Sequence, residues 1–183
     1  MRLGPIVIGF ATAALTLGAC GDPGASLPGD TATETTGGTP MQLTSTAFDN
    51  EGTIPARHTC DGEGVSPPLS IVDLPETTRT LVLIVDDPDA PRGTYDHWVA
   101  YDIPSTMAIG EGVEALGTAG TNSAGSTGYQ PPCPPSGTHR YRFTVYAMSG
   151  PLALAPGASK SEVLAAIDGR VLAEATLIGR YGR

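Results

Sequence analysis

Lysine is all but missing from this sequence: one stands among 183 residues, and arginine brings the basic total only to 10, against 19 acids, for a net charge of −9. No basic run exists to grip nucleic-acid phosphates, and so acidic a chain is not drawn to anionic lipid by charge, so nucleic acid is excluded as an expected partner. Charged residues of either sign are sparse, at 16%, while glycine (24) and proline (17) abound. The long runs of Ala, Leu, Glu and Lys that build helical bundles are absent, which leaves a turn-rich all-β domain as the better fit. No internal repeat is visible.

Several chemistries lack their residues too. Ala124-Gly125-Ser126-Thr127-Gly128 misses the first glycine of a Gly-x-Ser-x-Gly nucleophile elbow. No glycine loop of the phosphate-cradling type occurs. His58, His97 and His139 have no local metal-ligand spacing. A calcium loop opening at Asp87 would find Trp98 where its twelfth-position glutamate belongs. Neither a metal nor a cofactor is expected. With no nucleophile beside a base in the sequence, a hydrolase using Asp and His as acid and base is the weakest functional reading, and the chain is not expected to be an enzyme.

What is present begins at the N-terminus. After Arg2, the stretch Leu3 to Ala19 carries no charge and ends in Leu17-Gly18-Ala19-Cys20. The apolar run has the length of a signal-peptide core, at the short limit for a spanning helix. Small residues directly before a cysteine resemble a bacterial lipobox, which implies a signal peptide over residues 1–19 and a diacylglyceryl thioether on Cys20. An ordinary signal peptide or an uncleaved anchor helix is the alternative. Gly21 to Pro40 holds almost no large apolar side chains and cannot offset the entropy of ordering, so residues 20–40 are expected to be a disordered tether. Cleavage would remove Arg2 and leave the remainder at −10. The expected location is the cell envelope, lipid-anchored on its extracytoplasmic face; Gly21 after the cysteine favours the outer membrane where the organism has one. Cys60 and Cys133 remain, an even pair in an exported protein, and are expected to form a disulfide, with two buried thiols as the alternative.

The domain spans residues 41–183. Gln42 to Phe48 alternates and reads as a strand. Leu81-Val82-Leu83-Ile84-Val85 is short, apolar and β-branched, as a central strand covered on both faces should be. Trp98 to Ile103 follows and is stopped by Pro104. From Arg140 to Met148, Tyr141, Phe143, Val145 and Ala147 share one face. Val171 to Tyr181 is the last strand, with a bend or bulge expected at Gly179. Ser159 and Glu162 have capping-box spacing before an apolar stripe of Val163, Leu164 and Ile167, and Gly169 stands at the C-terminal cap, predicting one short helix. Glu111 to Gly128 has no period and reads as loop. Strands between proline-rich turns with one late helix predict an antiparallel β-sandwich of two sheets.

Three clusters at strand ends hold the candidate chemistry: Asp86-Asp87-Pro88-Asp89-Ala90-Pro91, Asp96-His97-Trp98, and the stretch from Gly128 to Tyr141. Prolines around Asp87 and Asp89 stiffen their turn. Histidines at strand starts and a tyrosine hydroxyl can donate to an oxyanion. A carboxylate beside an imidazole holds its tautomer and raises its pKa, which favours a cationic ring and anion binding; Asp87 is alternatively the acceptor of an ammonium. The structural alternative is a turn carboxylate and a half-buried ring bonded to backbone. Asp86 and Asp89 read as ordinary turn acids, and Tyr141 as a core residue with its hydroxyl at a rim.

Asp87-Pro88-Asp89-Ala90-Pro91, His97-Trp98, Gly128-Tyr129, Pro132-Cys133-Pro134-Pro135 and His139-Arg140-Tyr141 together resemble the phosphatidylethanolamine-binding protein family. Cys60-Asp61-Gly62 with Ser66-Pro67-Pro68-Leu69 resembles its bacterial, Raf-kinase-inhibitor-like branch. The ordered set runs from Met41 to the C-terminus. The resemblance implies two packed antiparallel sheets and a pocket for small anions or phospholipid head groups at one end, associated with Asp87, Pro91, His97, Pro135, His139 and Tyr141. It also leaves a second function open, inhibition of or interaction with a protein such as a protease or kinase.

Overall fold

The computed structural model describes residues 40–183. The expected signal peptide, Cys20 and all of the expected tether but Pro40 lie outside the described residues.

Two sheets form the domain. The smaller holds β1 (Gln42–Thr44), β3 (Leu69–Val72) and β6 (Ala108–Ile109), in the order β1-β3-β6. The larger runs β2-β9-β8-β4-β5-β7 and holds β2 (Gly52–Thr53), β4 (Thr80–Asp87), β5 (Tyr95–Pro104), β7 (Thr118–Ala119), β8 (Thr138–Met148) and β9 (Val171–Gly182). The pairings are antiparallel except β2 with β9. One α-helix, α1 (Lys160–Ile167), precedes β9. This is the expected β-sandwich with its short late helix.

Strand β4 lies between β5 and β8 and is covered on both faces, which is why its run is continuously apolar. Leu81, Leu83 and Val85 join Phe143, Val145, Leu69 and Ile71 in the core between the sheets, while Val82 and Ile84 meet Val163 and Ile167 of the helix on the outer face. Each large side chain so removed from water contributes about 1.5–3 kcal/mol. The Ser159 capping box forms: its hydroxyl accepts from the Glu162 amide, and the Glu162 carboxylate accepts from the Ser159 amide at 2.8 Å. Gly169 follows the helix at φ +68°.

Four expectations need adjustment. The first strand ends at Thr44, although alternate burial continues to Ala47. Leu164 is exposed, because only Val163 and Ile167 reach the sheet. The loop after Glu111 contributes two residues, β7, to the sheet edge beside β5. Gly179 makes neither bend nor bulge: it pairs in register with Tyr141 and Gly52. It is a glycine because a Cβ there would lie 2.5 Å from Ile54 Cγ1 and 2.9 Å from Phe48 Cε2.

Candidate functional site

Residue parity along two neighbouring strands places the site. The inward row Leu81, Leu83, Val85 on β4 continues to Asp87, and the inward row Val145, Phe143, Tyr141 on β8 continues to His139. Both rows therefore end in polar groups at one end of the inter-sheet core. His139 Nδ1 lies 2.7 Å from Asp87 Oδ2, and both residues are buried. An ionised carboxylate only accepts, so Nδ1–H donates and the ring tautomer is fixed. The other Asp87 oxygen accepts the Asp89 amide at 2.8 Å, which folds the acidic turn back on itself.

His97 reaches the same place through a β-bulge. Val85 pairs with Trp98 and Asp86 with Asp96, so His97 is the extra residue on β5. Its ring joins the inward side beside that of Trp98, which a regular strand would forbid. His97 Nδ1 donates to the Gln130 carbonyl at 2.7 Å, and the Gln130 amide donates to the His97 carbonyl at 2.9 Å. The His97 ring packs between those of Tyr95 and Tyr141, at centroid distances of 4.9 and 5.2 Å. Burial lowers its pKa, outweighing the Gln130 hydrogen bond and the charge of Asp87, so the ring is neutral at pH 7 with a lone pair on Nε2.

The far wall is the 128–135 loop, fastened at several points. Tyr129 donates its hydroxyl to the His58 carbonyl at 2.8 Å and sets its ring against Trp98. Cys60 donates its amide to Pro132 and is bridged to Cys133 by the expected disulfide, with Cα atoms 5.4 Å apart. Below, Arg140 takes both oxygens of Asp89, at 2.7 and 2.9 Å, and holds that carboxyl well below the usual range.

These walls enclose a cavity of about 440 Å³. All six residues named from the sequence, Asp87, Pro91, His97, Pro135, His139 and Tyr141, line it. Tyr95, Arg92, Gln130, Pro131 and Pro134 line it as well and were not named; Tyr95 was within reach of the sequence, two residues before His97 on a strand. Asp87 is the partner of His139 and not of His97, because the bulge hands His97 to the Gln130 carbonyl. Tyr141 is fully buried, and its hydroxyl has no hydrogen-bond partner among the described residues. Burial, aided by the charge of Asp87, raises the Tyr141 pKa and keeps the hydroxyl a donor.

Asp86, read as a turn acid, belongs to β4 and faces outward, where Arg142 takes both its oxygens at 2.7 and 2.8 Å. His58 is buried elsewhere, its Nδ1 3.0 Å from the Val65 carbonyl oxygen. Among the described residues no three His, Cys, Asp or Glu side chains come together as a metal site.

Residues 44–182 match the family model of the phosphatidylethanolamine-binding protein. A UPF0098 protein of Methanothermobacter thermautotrophicus is 49% identical over 150 residues, which span 78% of this chain and 99% of that protein. One from Chlamydia trachomatis is 44% identical over 147 residues, 77% of this chain and 98% of its own. Among solved structures, a putative phosphatidylethanolamine-binding protein homologue of Chlamydia trachomatis superposes with a TM-score of 0.76 at 42% identity, covering 79% of this chain and 98% of that one. YbcL of E. coli, described as a member of the mammalian family, gives 0.72 at 25% identity over 78% of this chain and 98% of its own.

Proposed function

Because this chain belongs to the phosphatidylethanolamine-binding protein family, we propose that its pocket binds one small oxyanion, either free or as the phosphate of a phospholipid head group. The observation that carries the reading is the buried Tyr141 hydroxyl without a partner beside a cavity that also receives His97 and His139. A buried donor left unpaired costs about 1–3 kcal/mol, and a ligand oxygen would remove that cost. His139 is oriented by its hydrogen bond to Asp87, and His97 becomes a donor once its Nε2 takes a proton. The prolines at 91, 131, 134 and 135 supply a stiff wall without amide donors, so orientation falls to the polar side chains of the cavity, Arg92 and Tyr95 besides Tyr141, His97 and His139.

We propose further that the domain works as the extracytoplasmic head of a lipoprotein, acylated at Cys20 and tethered by residues 21–40. The disulfide supports an oxidising compartment. Mass spectrometry of the mature N-terminus tests the anchor: a diacylglyceryl Cys20 is expected, and an unmodified cysteine or retained residues before it would remove the claim. Titration calorimetry with inorganic phosphate and phosphoethanolamine tests the pocket. One site per chain is expected, and no heat with either ligand would refute the reading. Tighter binding of phosphoethanolamine would assign the head group; equal binding would assign the free anion.

A further inference from the structure

On the outer face of the large sheet, directly behind the pocket, Asp86 of β4 and Asp96 of β5 are a cross-strand pair in register. Two carboxylates so opposed repel each other, and they stand at the bulge whose extra residue is His97. Lys160, the first residue of α1 and the only lysine of the chain, lies between them: its Nζ donates to Asp86 Oδ2 at 2.5 Å and to Asp96 Oδ1 at 2.8 Å. Its side chain is 18% exposed, and those of Asp86 and Asp96 are 7% and 23% exposed, so water screens this cluster only in part.

We propose that Lys160 is a positioning residue for the pocket: it staples β4 to β5 at the bulge and so fixes the placement of His97 on the opposite face. The placement rests on three relations. Asp86 and Asp96 each immediately precede a pocket residue, Asp87 and His97. Asp86 retains Arg142 if Lys160 is removed, whereas Lys160 is the sole cation in contact with Asp96 among the described residues. Without it the uncompensated Asp96 faces Asp86, and the repulsion loads the start of β5, which carries His97 and which Ser123 holds through two hydrogen bonds to the Asp96 backbone. The Gln130 backbone pair holds His97 from the loop side alone and would follow that shift. The helix contributes because its capped first turn presents Lys160 from a fixed position.

The inference rests on the pocket reading for its effect on binding, but His97 itself reports on it without ligand. The test is proton NMR of the histidine ring signals in the free protein, His97 being assigned by loss of its signal in His97→Gln, together with phosphate titration. In Lys160→Met the His97 signals should move, and phosphate affinity should fall about tenfold. Adding Asp96→Asn to Lys160→Met removes the repulsion and should restore both to near wild type. His97 signals unchanged in a folded Lys160→Met, or a double variant no better than the single, would overturn the proposal. Should Lys160→Met not fold, Lys160→Gln, which keeps a donor but no charge, takes its place with the same expectation and the same refuting result. If wild-type protein binds no phosphate, the pocket reading fails, and the ring signals still decide whether Lys160 sets His97.

Discussion

Asp87 Oδ2 and His139 Nδ1 lie 2.7 Å apart across 52 residues of sequence, joined because two neighbouring strands both end their inward rows at the same end of the sandwich. The pair is buried, so each residue depends on the other: the carboxylate orients the imidazole, and the imidazole and the Asp89 amide satisfy the carboxylate oxygens.

His139→Ala is therefore expected to destabilise the domain by about 3 kcal/mol, since it leaves Asp87 buried with one hydrogen bond. Asp87→Asn keeps the shape but not the charge, and should weaken phosphate binding at least about tenfold, or 1.4 kcal/mol, through a weaker hold on the His139 ring. Urea unfolding and calorimetry read the two effects separately.

The pH behaviour follows from His97 and Asp89. Burial lowers the His97 pKa in the folded protein, so the stability owed to its neutral ring is present above the usual value of 6.5 and is lost as pH falls below it toward the folded value. Asp89, held low by Arg140, contributes stability above its usual 3.8 that is lost as pH falls further. Melting temperature should drop from about pH 7 to pH 5, and His97→Gln should flatten that segment.

Binding should run the other way. The His97 Nε2 lone pair cannot donate until it is protonated, so an anion that uses it takes up a proton. Sulfate, which does not itself titrate in this range, should bind more tightly as pH falls, by up to about tenfold per pH unit for one proton. His97→Gln should abolish the dependence that belongs to this ring, as followed by calorimetry across the same pH range.

The disulfide closes a 73-residue separation, and Cys133 itself lines the pocket. Replacing both cysteines with serine should cost about 4 kcal/mol of stability in the chain-entropy model. It should also weaken phosphate binding, because Pro134 and Pro135 hang from that bridge. A lower melting temperature with unchanged affinity would make the bridge a staple for the fold alone.

Gly179→Ala should destabilise by about 1–3 kcal/mol, since the new methyl would press on Ile54 and Phe48. Urea unfolding measures it. The same glycine marks where sequence pattern stops informing. A glycine inside a strand signals a bulge or a close approach, and which of the two holds depends on what packs opposite, here residues more than a hundred positions away. The bulge that does shape the site falls at His97, where no glycine announces it. Its cause is pairing register between β4 and β5, a relation between strands that one strand's pattern does not contain.

Alternation and the doubly buried run of β4 were legible because solvent contact imposes them residue by residue. So were the polar ends of those strands, and the six residues that the family resemblance implied do line one cavity. Which imidazole Asp87 would hold was not legible, because it turns on distances of a few ångströms between segments remote in sequence. The role of Lys160 was hidden for the same reason: in sequence it is only the first residue of a capped helix.

A crystal structure of the protein grown or soaked in phosphate tests the central claim most directly. The account predicts one tetrahedral anion in the cavity, with an oxygen within hydrogen-bond distance of the Tyr141 hydroxyl and others facing the Nε2 atoms of His97 and His139. A well-ordered cavity that holds only water at saturating phosphate, or an anion bound elsewhere while the Tyr141 hydroxyl stays unpaired, would contradict it.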